Sequence, residues 1–595
     1  MRQRLIYIYN KLFASGSRPF AWGTKLLAPV RDSGCFILMM MVAYLTASLI
    51  VEYPNEHQVR EFTQLLLGLY LYAAVLMLLP ERWRPWLRGT GAVVMYVLCI
   101  VEVFLSLRFH MRISPSMLML MGDTTAGESR EFLTVILQAQ ETYIALGTYL
   151  GIGLVHIAVA RWLKMGCNWL TTTLAALIVV GAVAGVPRWV ERMESIVPYL
   201  LLDSSREAER CSESNFYSAP LRLVWSQKFY SLMIREADDM ARHTREAKVD
   251  SCSFRCPKIV LIIGESYSKH HSQLYGYAMP TTPKQRRWME EGRLVAFDDV
   301  VSPWNLTSNV FKDIMSTHST DDEGNWTDGV LFPALFKAAG YKVDFLSNQF
   351  YADKQQSNCD VNGSFFLNRS DMNAMCFDHR STQHFQTDGI FIRKELKPLK
   401  HADRELVIVH LYGQHMTYKD RAPFKEEQKP FHPADYQRKD LGKGDLQTLV
   451  DYDNACYYND TIVSAVYEQF KDDDAIFVYL SDHGEYVYDG TEVRFGRTHN
   501  TAITPEMAHY EFEVPMVVFF TDKFRRLHPD VVFQVAEARH RPFSIDDLPH
   551  LLLGLAGIRS PHYSERHDIL STRYNAHRQR LLRGTTDYDE LMKKQ

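Results

Sequence analysis

Five long apolar segments in the first third of the chain constrain its fold more than any other feature. Each is nearly free of charge and long enough for a helix to cross a bilayer core of about 30 Å. A buried core helix would explain any one of them, and a signal peptide would explain the first. Five in succession favour a polytopic membrane protein, and the first lacks a small-residue cleavage site. The predicted spans are residues 36–51, 62–79, 89–107, 143–160 and 169–186.

Basic residues predict the orientation of these spans. Arg and Lys are concentrated before the first span and in the loops after the second and fourth, whereas the loop after the first is acidic. This pattern places the N-terminus in the cytoplasm, and an odd number of spans then places the rest of the chain outside. We therefore predict a membrane domain at 1–187, a linker with interfacial helices at 188–255 and an exported domain at 256–595. Within the linker, residues 221–234 form either a helix on the membrane surface or an ordinary docking helix.

Cysteine usage is consistent with export. Six of the nine cysteines follow residue 186, and an even number in an oxidising compartment permits three disulfides. Buried free thiols are the alternative, because connectivity is not readable from the sequence. The pairing we predict is Cys252 with Cys256, Cys359 with Cys376, and Cys211 with Cys456.

The charge balance excludes one broad function class. The chain has 66 Lys and Arg against 70 Asp and Glu, a formal net charge of −4. A dedicated nucleic-acid binder usually presents a strongly basic face, so we expect no nucleic-acid partner. The 12% aromatic and 47% hydrophobic residues are too many for a disordered or fibrous chain.

From about residue 258 the sequence alternates short β-branched runs with helical stretches. This alternation indicates an α/β domain on a largely parallel central sheet. Four of the runs are followed at once by polar residues, and ligands bind at the carboxyl ends of strands in open α/β sheets. We therefore expect these four strand ends to converge. The runs are residues 259–263, 343–346, 406–411 and 476–480.

The polar residues at these strand ends favour a metal site. Convergent Glu, Asp and His suit a divalent ion such as zinc. A reactive site also needs a nucleophile, and residues 301–317 offer hydroxyl groups at the start of a predicted helix, where backbone N–H groups favour a phosphoryl group. Thr307 and Ser308 both fit, and spacing alone does not separate a nucleophile from a helix cap.

Five motifs in the sequence are familiar. They are IIGESYSKHHSQLYGYAMPTTP, SPWNLTSNVF, VHLYGQHMTYK, YDNACYYND and VYLSDHGEYVYDG. With them the whole chain resembles, in outline, the membrane-bound phosphoethanolamine transferases of Gram-negative bacteria, which are members of the alkaline-phosphatase superfamily. The last three motifs are most similar to the branch that modifies lipopolysaccharide core heptose rather than lipid A. The resemblance implies five N-terminal spans in the inner membrane and a periplasmic catalytic α/β domain.

Matched position by position, these motifs imply a catalytic zinc site. One tightly bound zinc ion would be held by four residues, with the threonine among them as nucleophile. The residues are Glu265, Thr307, Asp482 and His483.

The resemblance also implies residues that surround the substrate. His415 and His499 match two histidines near the substrate phosphate or a second zinc, with His509 as an alternative to His499. Asn348 and Gln349 fall where that family places polar substrate contacts.

These assignments predict a two-step phosphoethanolamine transfer. The donor would be phosphatidylethanolamine and the acceptor lipopolysaccharide, at a core heptose or at lipid A, with a covalent intermediate on Thr307. Glu102 is a carboxylate near the outer end of the third span. It is a candidate donor contact, or a residue that only reaches the interface.

Three other functions fit parts of the pattern. A glycerol-phosphate transferase of the lipoteichoic-acid-synthase type would share the spans, the threonine and the zinc site, although six exported cysteines and the core-branch motifs weigh against it. A sulfatase would need a Cys or Ser nucleophile in a C/S-x-P-x-R context, which the nucleophile segment 301–317 lacks. A non-catalytic metal-dependent sensor would show damage at the nucleophile or the ligands, and all of these positions are intact.

Overall fold

The computed structural model describes most of the chain. It divides into two compact units, Met1–Ile234 and Arg235–Gln595. The three-part division at residues 187 and 255 stays a prediction. The described residues are 19–50, 55–109, 113, 140–163, 169–206, 219–350, 366–367, 369–491, 494–498 and 502–593.

Most described residues of the first unit are helical. An α-helix lets an apolar segment satisfy all of its backbone polar groups internally, as a bilayer requires. Helices α1 to α6 are Pro19–Ile50, Asn55–Met77, Arg84–Phe109, Gln140–Trp162, Trp169–Ala184 and Val186–Leu201. Helix α7, Ala219–Glu246, follows.

The helices differ in how well they suit a bilayer. Three described helices, Lys25–Ile50, Arg84–Leu107 and Gln140–Trp162, are long and apolar enough to cross a membrane. Trp169–Ala184 and Trp189–Leu201 are bent by 45° and make a fourth span if they act as one. Phe62–Met77 is a shorter apolar helix. The helices therefore fit a membrane part, whereas the number of five spans stays a prediction.

The surface of the first unit is apolar as well as its core. Small and sulfur-containing side chains such as Ala43 and Cys99 are buried between helices, and Tyr149 donates a hydrogen bond to the Ala43 carbonyl at 3.0 Å. By contrast, Leu150 and Leu154 are 65% and 69% exposed. Such an exterior is costly in water and favourable against lipid chains.

The second unit is built on a seven-stranded sheet. Strands β1 to β7 are Lys258–Gly264, Leu294–Phe297, Lys342–Ser347, His379–Arg380, Glu405–His410, Ala475–Ser481 and Met516–Phe520. Their order across the sheet is β2-β7-β6-β1-β5-β3-β4. The pairs β6-β1, β1-β5, β5-β3 and β3-β4 are parallel, and β7 is antiparallel to both β6 and β2.

This sheet is mixed rather than wholly parallel, because β7 alone runs against the direction of the other six strands. The cause lies in the connection between β6 and β7. The Ser481 N–H donates to the Pro515 carbonyl at 3.2 Å, so the chain returns to the sheet at the same edge where β6 ends. Strand β7 starts at that edge and must run back antiparallel, since a parallel strand would need a crossover to the other edge.

Both faces of the sheet are covered. Ile259, Leu261 and Ile263 of β1 are buried in one apolar cluster, and Val260 and Ile262 are buried in a second cluster on the opposite face. A strand with apolar residues at every position is expected where both faces are buried. The carboxyl ends of the central strands are thereby fixed in place.

Helices and shorter strands complete the second unit. Helices α8 to α18 are Pro283–Glu290, Thr307–Met315, Phe332–Ala338, Ser370–Cys376, Asp388–Phe391, Lys443–Phe470, Pro505–Met507, Asp522–Leu527, Pro529–Ala538, Leu548–Ala556 and Tyr588–Met592. Two π-helical turns are Ile392–Leu396 and Ala508–Phe512. Two-residue strands pair as Ser251–Cys252 with Ile558–Arg559, Val300–Val301 with Phe543–Ser544, Tyr486–Val487 with Phe495–Gly496, and Leu581–Leu582 with Thr586–Asp587.

The disulfide prediction is corrected by the structure. Cys252, Cys256, Cys376 and Cys456 are free thiols, and Cys211 and Cys359 lie outside the described residues. The Cys252 Sγ lies 3.6 Å from the Ala556 carbonyl, whereas Cys256 is fully buried in the core. Burial raises the pKa of the Cys376 thiol to about 12, so it behaves as an apolar core residue.

Candidate active site

Two neighbouring strands bring the predicted carboxylates and a histidine together. Glu265 follows β1 directly, and Asp482 and His483 follow β6. The two strands pair in parallel with Gly264 opposite Ser481, so the residues that follow must emerge side by side. Ligand atoms of the three side chains all lie within 4.8 Å of one another, and all three side chains are buried.

Thr307 reaches the same cluster from a helix start. It is the first residue of helix α9, Thr307–Met315, after the extended residue Leu306. The Thr307 Oγ1 donates a hydrogen bond to Glu265 Oε2 at 3.0 Å and lies 3.2 Å from His483 Nε2. Unpaired N–H groups at a helix start also favour a bound phosphoryl group.

The neighbouring hydroxyl is placed differently. Ser308 is buried, and no described partner hydrogen-bonds to its Oγ atom. Thr307 touches the cluster and Ser308 does not, which separates the two hydroxyls that the sequence left equivalent.

Only one of the two Asp482 carboxylate oxygens accepts hydrogen bonds from the described residues. Its Oδ1 accepts hydrogen bonds from the backbone N–H groups of Ser266 at 3.1 Å and His483 at 2.8 Å. No described donor makes a hydrogen bond to Oδ2, although this atom is buried and lies 3.2 Å from His483 Nε2. A buried carboxylate oxygen with no donor is costly unless a cation lies beside it.

The electrostatics of the cluster also suit a bound cation. Burial raises the pKa of Asp482 well above its usual range, and the nearby Glu265 carboxylate raises it further. Burial alone would also raise the pKa of Glu265, but His483, His415 and Arg497 hold it well below its usual range. Two adjacent buried carboxylates do not both ionise without a counter-charge.

His483 is electrically neutral near pH 7. Burial and the neighbouring Arg497 charge together lower its pKa to about 4. A neutral imidazole beside two carboxylates is the donor set that a zinc site requires. The residues present therefore fit a divalent cation, which Glu265, Asp482 and His483 would hold and which the Thr307 hydroxyl would face.

The strand end after β3 lies behind the cluster. Gln349 donates through Nε2 to Glu265 Oε2 at 3.1 Å and to the Leu411 carbonyl at 2.9 Å. Asn348 is fully buried, donates to Asp388 Oδ1 at 2.9 Å and accepts from the Phe385 N–H at 2.8 Å. The structure therefore gives Gln349 a role in orienting Glu265, and it gives Asn348 a role in joining loops.

The remaining predicted residues are His415, His499 and Glu102. His415 is half-buried, and its Nδ1 lies 2.9 Å from the Met416 carbonyl. His499 lies outside the described residues. Glu102, in the first unit, is 1% exposed, accepts from the Ile113 N–H at 3.1 Å and lies 3.5 Å from Arg222 Nε.

Two residues of the site have no clear signal in the sequence. Arg497 contacts both ring nitrogens of His483, with Nη1 at 3.2 Å from Nδ1, and donates to the Asn305 carbonyl at 3.0 Å. His410, the last residue of β5, lies 3.1 Å from Gln349 Nε2. Arg497 stands 14 residues beyond His483 in an irregular segment, where no periodicity marks it, and His410 reads as part of an apolar strand.

The fold and the site define a family. The chain belongs to the sulfatase family, whose model, described as Sulfatase, matches residues 257–558. The matched region contains all seven strands of the sheet as well as Glu265, Thr307, Asp482 and His483. The predicted membership of the alkaline-phosphatase superfamily is confirmed.

The curated relatives of the chain include phosphoethanolamine transferases. The chain is 27% identical over 325 residues to phosphoethanolamine transferase EptC of Escherichia coli K12, an alignment that covers 53% of each chain. It is 24% identical over 556 residues to phosphoethanolamine transferase CptA of Salmonella typhimurium, with 90% of each chain covered. The chain thus spans about half the length of the EptC proteins that it matches and most of the length of CptA.

One similar solved structure covers part of the chain. It is the C-terminal periplasmic domain of EptC from Escherichia coli in complex with Zn, at 25% identity and a TM-score of 0.49. The match covers 58% of this chain and 95% of that chain.

Proposed function

We propose that this protein transfers phosphoethanolamine from phosphatidylethanolamine to lipopolysaccharide through a covalent intermediate on Thr307. The observation that carries the proposal is the Thr307 hydroxyl at a helix start, 3.0 Å from Glu265 and 3.2 Å from His483 in a buried cluster. The alignment with CptA over 90% of both chains supports the transferred group. The motifs favour a core heptose as the acceptor position over lipid A.

We assign one tightly bound zinc ion to Glu265, Thr307, Asp482 and His483. Bound there, zinc would supply Lewis-acid chemistry that lowers the pKa of the Thr307 hydroxyl. Gln349 orients Glu265 from behind, and the N–H groups of Ser266 and His483 hold one oxygen of Asp482. A second zinc beside His415 and His499 belongs to the same proposal.

In the first step, deprotonated Thr307 attacks the phosphorus of the donor. A bond forms between Thr307 Oγ1 and phosphorus, and the bond between phosphorus and the diacylglycerol oxygen breaks. The leaving oxygen takes a proton from a nearby acid, a role that we assign to His415 or His499. Diacylglycerol departs and phosphoethanolamine remains on Thr307.

In the second step, the acceptor attacks the same phosphorus. A lipopolysaccharide hydroxyl loses its proton to the histidine that served as acid, and its oxygen forms the new bond to phosphorus. The bond to Thr307 Oγ1 breaks, and the threonine is ready for another cycle. Donor and acceptor are both lipids, so we place the protein in the bacterial inner membrane with the second unit in the periplasm.

A sulfatase reaction fits this member of the family less well. The nucleophile position is a threonine in the sequence NLTSN, and the residues around it do not form the C/S-x-P-x-R context of a modified sulfatase nucleophile. A glycerol-phosphate transferase remains the second candidate, because it would use the same threonine and metal ligands.

The test is transfer by the full chain reconstituted in vesicles. We expect labelled phosphoethanolamine to move from phosphatidylethanolamine to lipopolysaccharide, and an adduct of the same mass to accumulate on Thr307 when the acceptor is omitted. Thr307→Ala should lower the rate by at least about 10³-fold, because covalent catalysis is lost. Ser308→Ala is the matched control and should stay active.

Two outcomes would contradict the proposal. An adduct on Ser308 would show that Ser308, and not Thr307, is the nucleophile. Transfer from phosphatidylglycerol, with none from phosphatidylethanolamine, would favour the glycerol-phosphate reaction.

A further inference from the structure

We infer that the protein has another divalent-metal site, of the zinc class, formed by His270, His509 and Glu513. This His₂-carboxylate cluster is distinct from the Thr307 cluster and from the second zinc assigned to His415 and His499. The inference rests on the geometry of the three side chains and does not depend on the proposed transfer reaction.

The distances within the cluster match a tetrahedral ion. Two ligand atoms on zinc, each about 2.0–2.2 Å from the metal, lie about 3.3 Å apart. The separation from His509 Nδ1 to Glu513 Oε1 is 3.0 Å, and that from His270 Nε2 to Glu513 Oε2 is 3.6 Å. Ligand atoms of the three side chains lie within 4.8 Å of one another, so small side-chain movements close the site.

The two histidine rings are already aligned. Their centroids lie 3.8 Å apart with an interplanar angle of 32°. His270 Nε2 lies 2.9 Å from the His509 carbonyl. Metal binding would replace this contact, and the ring proton of His270 would then reside on Nδ1.

Neighbouring donors hold the carboxylate in place. The Tyr588 hydroxyl donates to Glu513 Oε1 at 2.8 Å, and Lys269 Nζ donates to Oε2 at 3.3 Å. Hydrogen bonds of this kind orient carboxylates that ligate metals. The Lys269 charge also repels a cation, so we expect this site to bind zinc more weakly than the Thr307 cluster does.

The cluster borders a cavity that leaves a coordination position accessible. The cavity has a volume of about 300 Å³, and both histidines line it together with Tyr277, Arg438 and Tyr510. Three protein ligands and one open position form the pattern of zinc sites that accept an exogenous ligand. The open position would take water or an anionic oxygen.

The π-helical turn Ala508–Phe512 links this cluster to the candidate active site. The Phe512 carbonyl accepts from the Ser302 N–H at 2.7 Å, and the Glu511 carbonyl accepts from the Gly484 N–H at 2.9 Å. Gly484 follows His483, and the π-helical turn passes close to Gly484. A Cβ atom on Gly484 would lie only 2.2 Å from the Tyr510 carbonyl oxygen. A metal on His509 and Glu513 would therefore brace the segment that carries Asp482 and His483.

The experiment measures zinc bound to the full-length protein in detergent, with Zn²⁺ itself as the probe. We expect His509→Ala and His270→Ala each to lose one equivalent of zinc relative to wild type. Asp482→Ala should lose a different equivalent, so the double variant with His509→Ala should lose two. His528→Ala is the matched control, because His528 also contacts a carboxylate, Asp474, at 3.0 Å but belongs to no such cluster.

X-ray absorption at the zinc edge provides a second readout. In the Asp482→Ala variant the spectrum should show imidazole ligands on the remaining zinc. These ligands should be absent from the spectrum of the double variant with His509→Ala. Full zinc content in both histidine variants, or loss of the additional equivalent only with His415→Ala, would overturn the inference. Misfolding can be distinguished from the expected result, because a misfolded variant would lose all of its bound zinc and not a single equivalent.

Discussion

At the scale of single residues, the candidate site depends on side chains that do not face the substrate. Gln349 is one of them, since its amide donates to Glu265 Oε2 at 3.1 Å and also lies 3.1 Å from His410 Nε2. Burial lowers the pKa of His410 to about 3, so this ring stays neutral and adds no competing charge. Gln349 and His410 are both neutral, so neither of them offsets the charge of Glu265.

This arrangement predicts the effect of Gln349→Leu. Removal of the amide leaves Glu265 without one of its donors, and loss of such a partner typically costs 10- to 100-fold in metal affinity or activity. We expect both zinc affinity and the transfer rate to fall by roughly that factor. Zinc titration and a transfer assay check the prediction, with Gln428→Leu at an exposed position as the control. Equal zinc affinity in Gln349→Leu and wild type would show that Gln349 does not orient Glu265.

The sequence predicts part of this site for a physical reason. Glu265, Asp482 and His483 follow apolar strands, and strand ends of a parallel pair meet at one edge. Arg497 is absent from any such pattern, because it reaches His483 from an irregular segment. The cysteine pairing was wrong because parity says nothing about burial, and a fully buried thiol such as Cys456 can simply pack in a core.

At the scale of elements, a buried histidine joins three segments around the site. His271 lies 2.6 Å from both Asp453 of helix α13, Lys443–Phe470, and Asp489 of the loop after β6. Tyr277 and Tyr436 donate to the second oxygen of Asp453 at 2.8 and 2.5 Å. The loop after β1, which begins with Glu265, is thereby tied to the loop that begins with Asp482.

Substitution of His271 should destabilise the protein in a pH-dependent manner. Burial alone lowers the pKa of His271, but Asp453 and Asp489 raise it to about 10 from an ordinary 6.5. A raised folded-state pKa contributes stability that is complete below 6.5 and is lost as the pH rises through 10. Breaking a buried pair costs about 3 to 5 kcal/mol.

We therefore expect His271→Ala to lower the melting temperature markedly at pH 6 and much less near pH 10. Thermal unfolding of both proteins across this range is the measurement. His540→Ala, which removes an exposed partner of Asp298, should change little at either pH. A melting-temperature difference that does not shrink toward pH 10 would show that His271 acts through packing and not through its charge.

The C-terminal segment beyond the family match braces the loop before Thr307. The Arg583 N–H donates to the Pro303 carbonyl at 2.7 Å, and its Nε donates to Asn305 Oδ1 at 3.2 Å. Asn305 Nδ2 in turn donates to the Thr498 carbonyl at 2.8 Å, next to Arg497. One arginine thus fixes the two segments that position Thr307 and His483.

Arg583→Ala should slow transfer without removing the metal. Small displacements of a nucleophile lower reaction rates strongly, so we expect a loss of roughly 10-fold or more in kcat. Zinc content should match wild type, because none of the metal ligands is altered. Arg573→Ala, at a side chain that is 81% exposed, is the control. Loss of zinc together with rate would mean that Arg583 supports the cluster itself.

At the scale of the whole molecule, the chain combines a helical unit with an apolar exterior and an α/β unit with a buried polar site. Hydropathy predicts where the apolar helices lie, because each must satisfy its backbone internally. It does not settle how many of them cross, since Phe62–Met77 is short and Trp169–Ala184 is followed by a 45° bend. The direction of β7 is not readable from local composition either, because it depends on the connection from β6.

The basic loops predict opposite sides of the membrane for two exposed positions. Glu81 follows the second apolar helix within the Arg-rich loop, which we place in the cytoplasm, and Lys593 is 69% exposed near the end of the second unit, which we place in the periplasm. A membrane-impermeant maleimide should therefore label Lys593→Cys in intact spheroplasts and Glu81→Cys only after lysis. The wild-type protein, whose described cysteines are buried or half-buried, gives the background for both variants. Labelling of both positions from the same side would require an even number of spans between them. The second unit would then lie on the same side as the Arg-rich loop, away from a periplasmic acceptor.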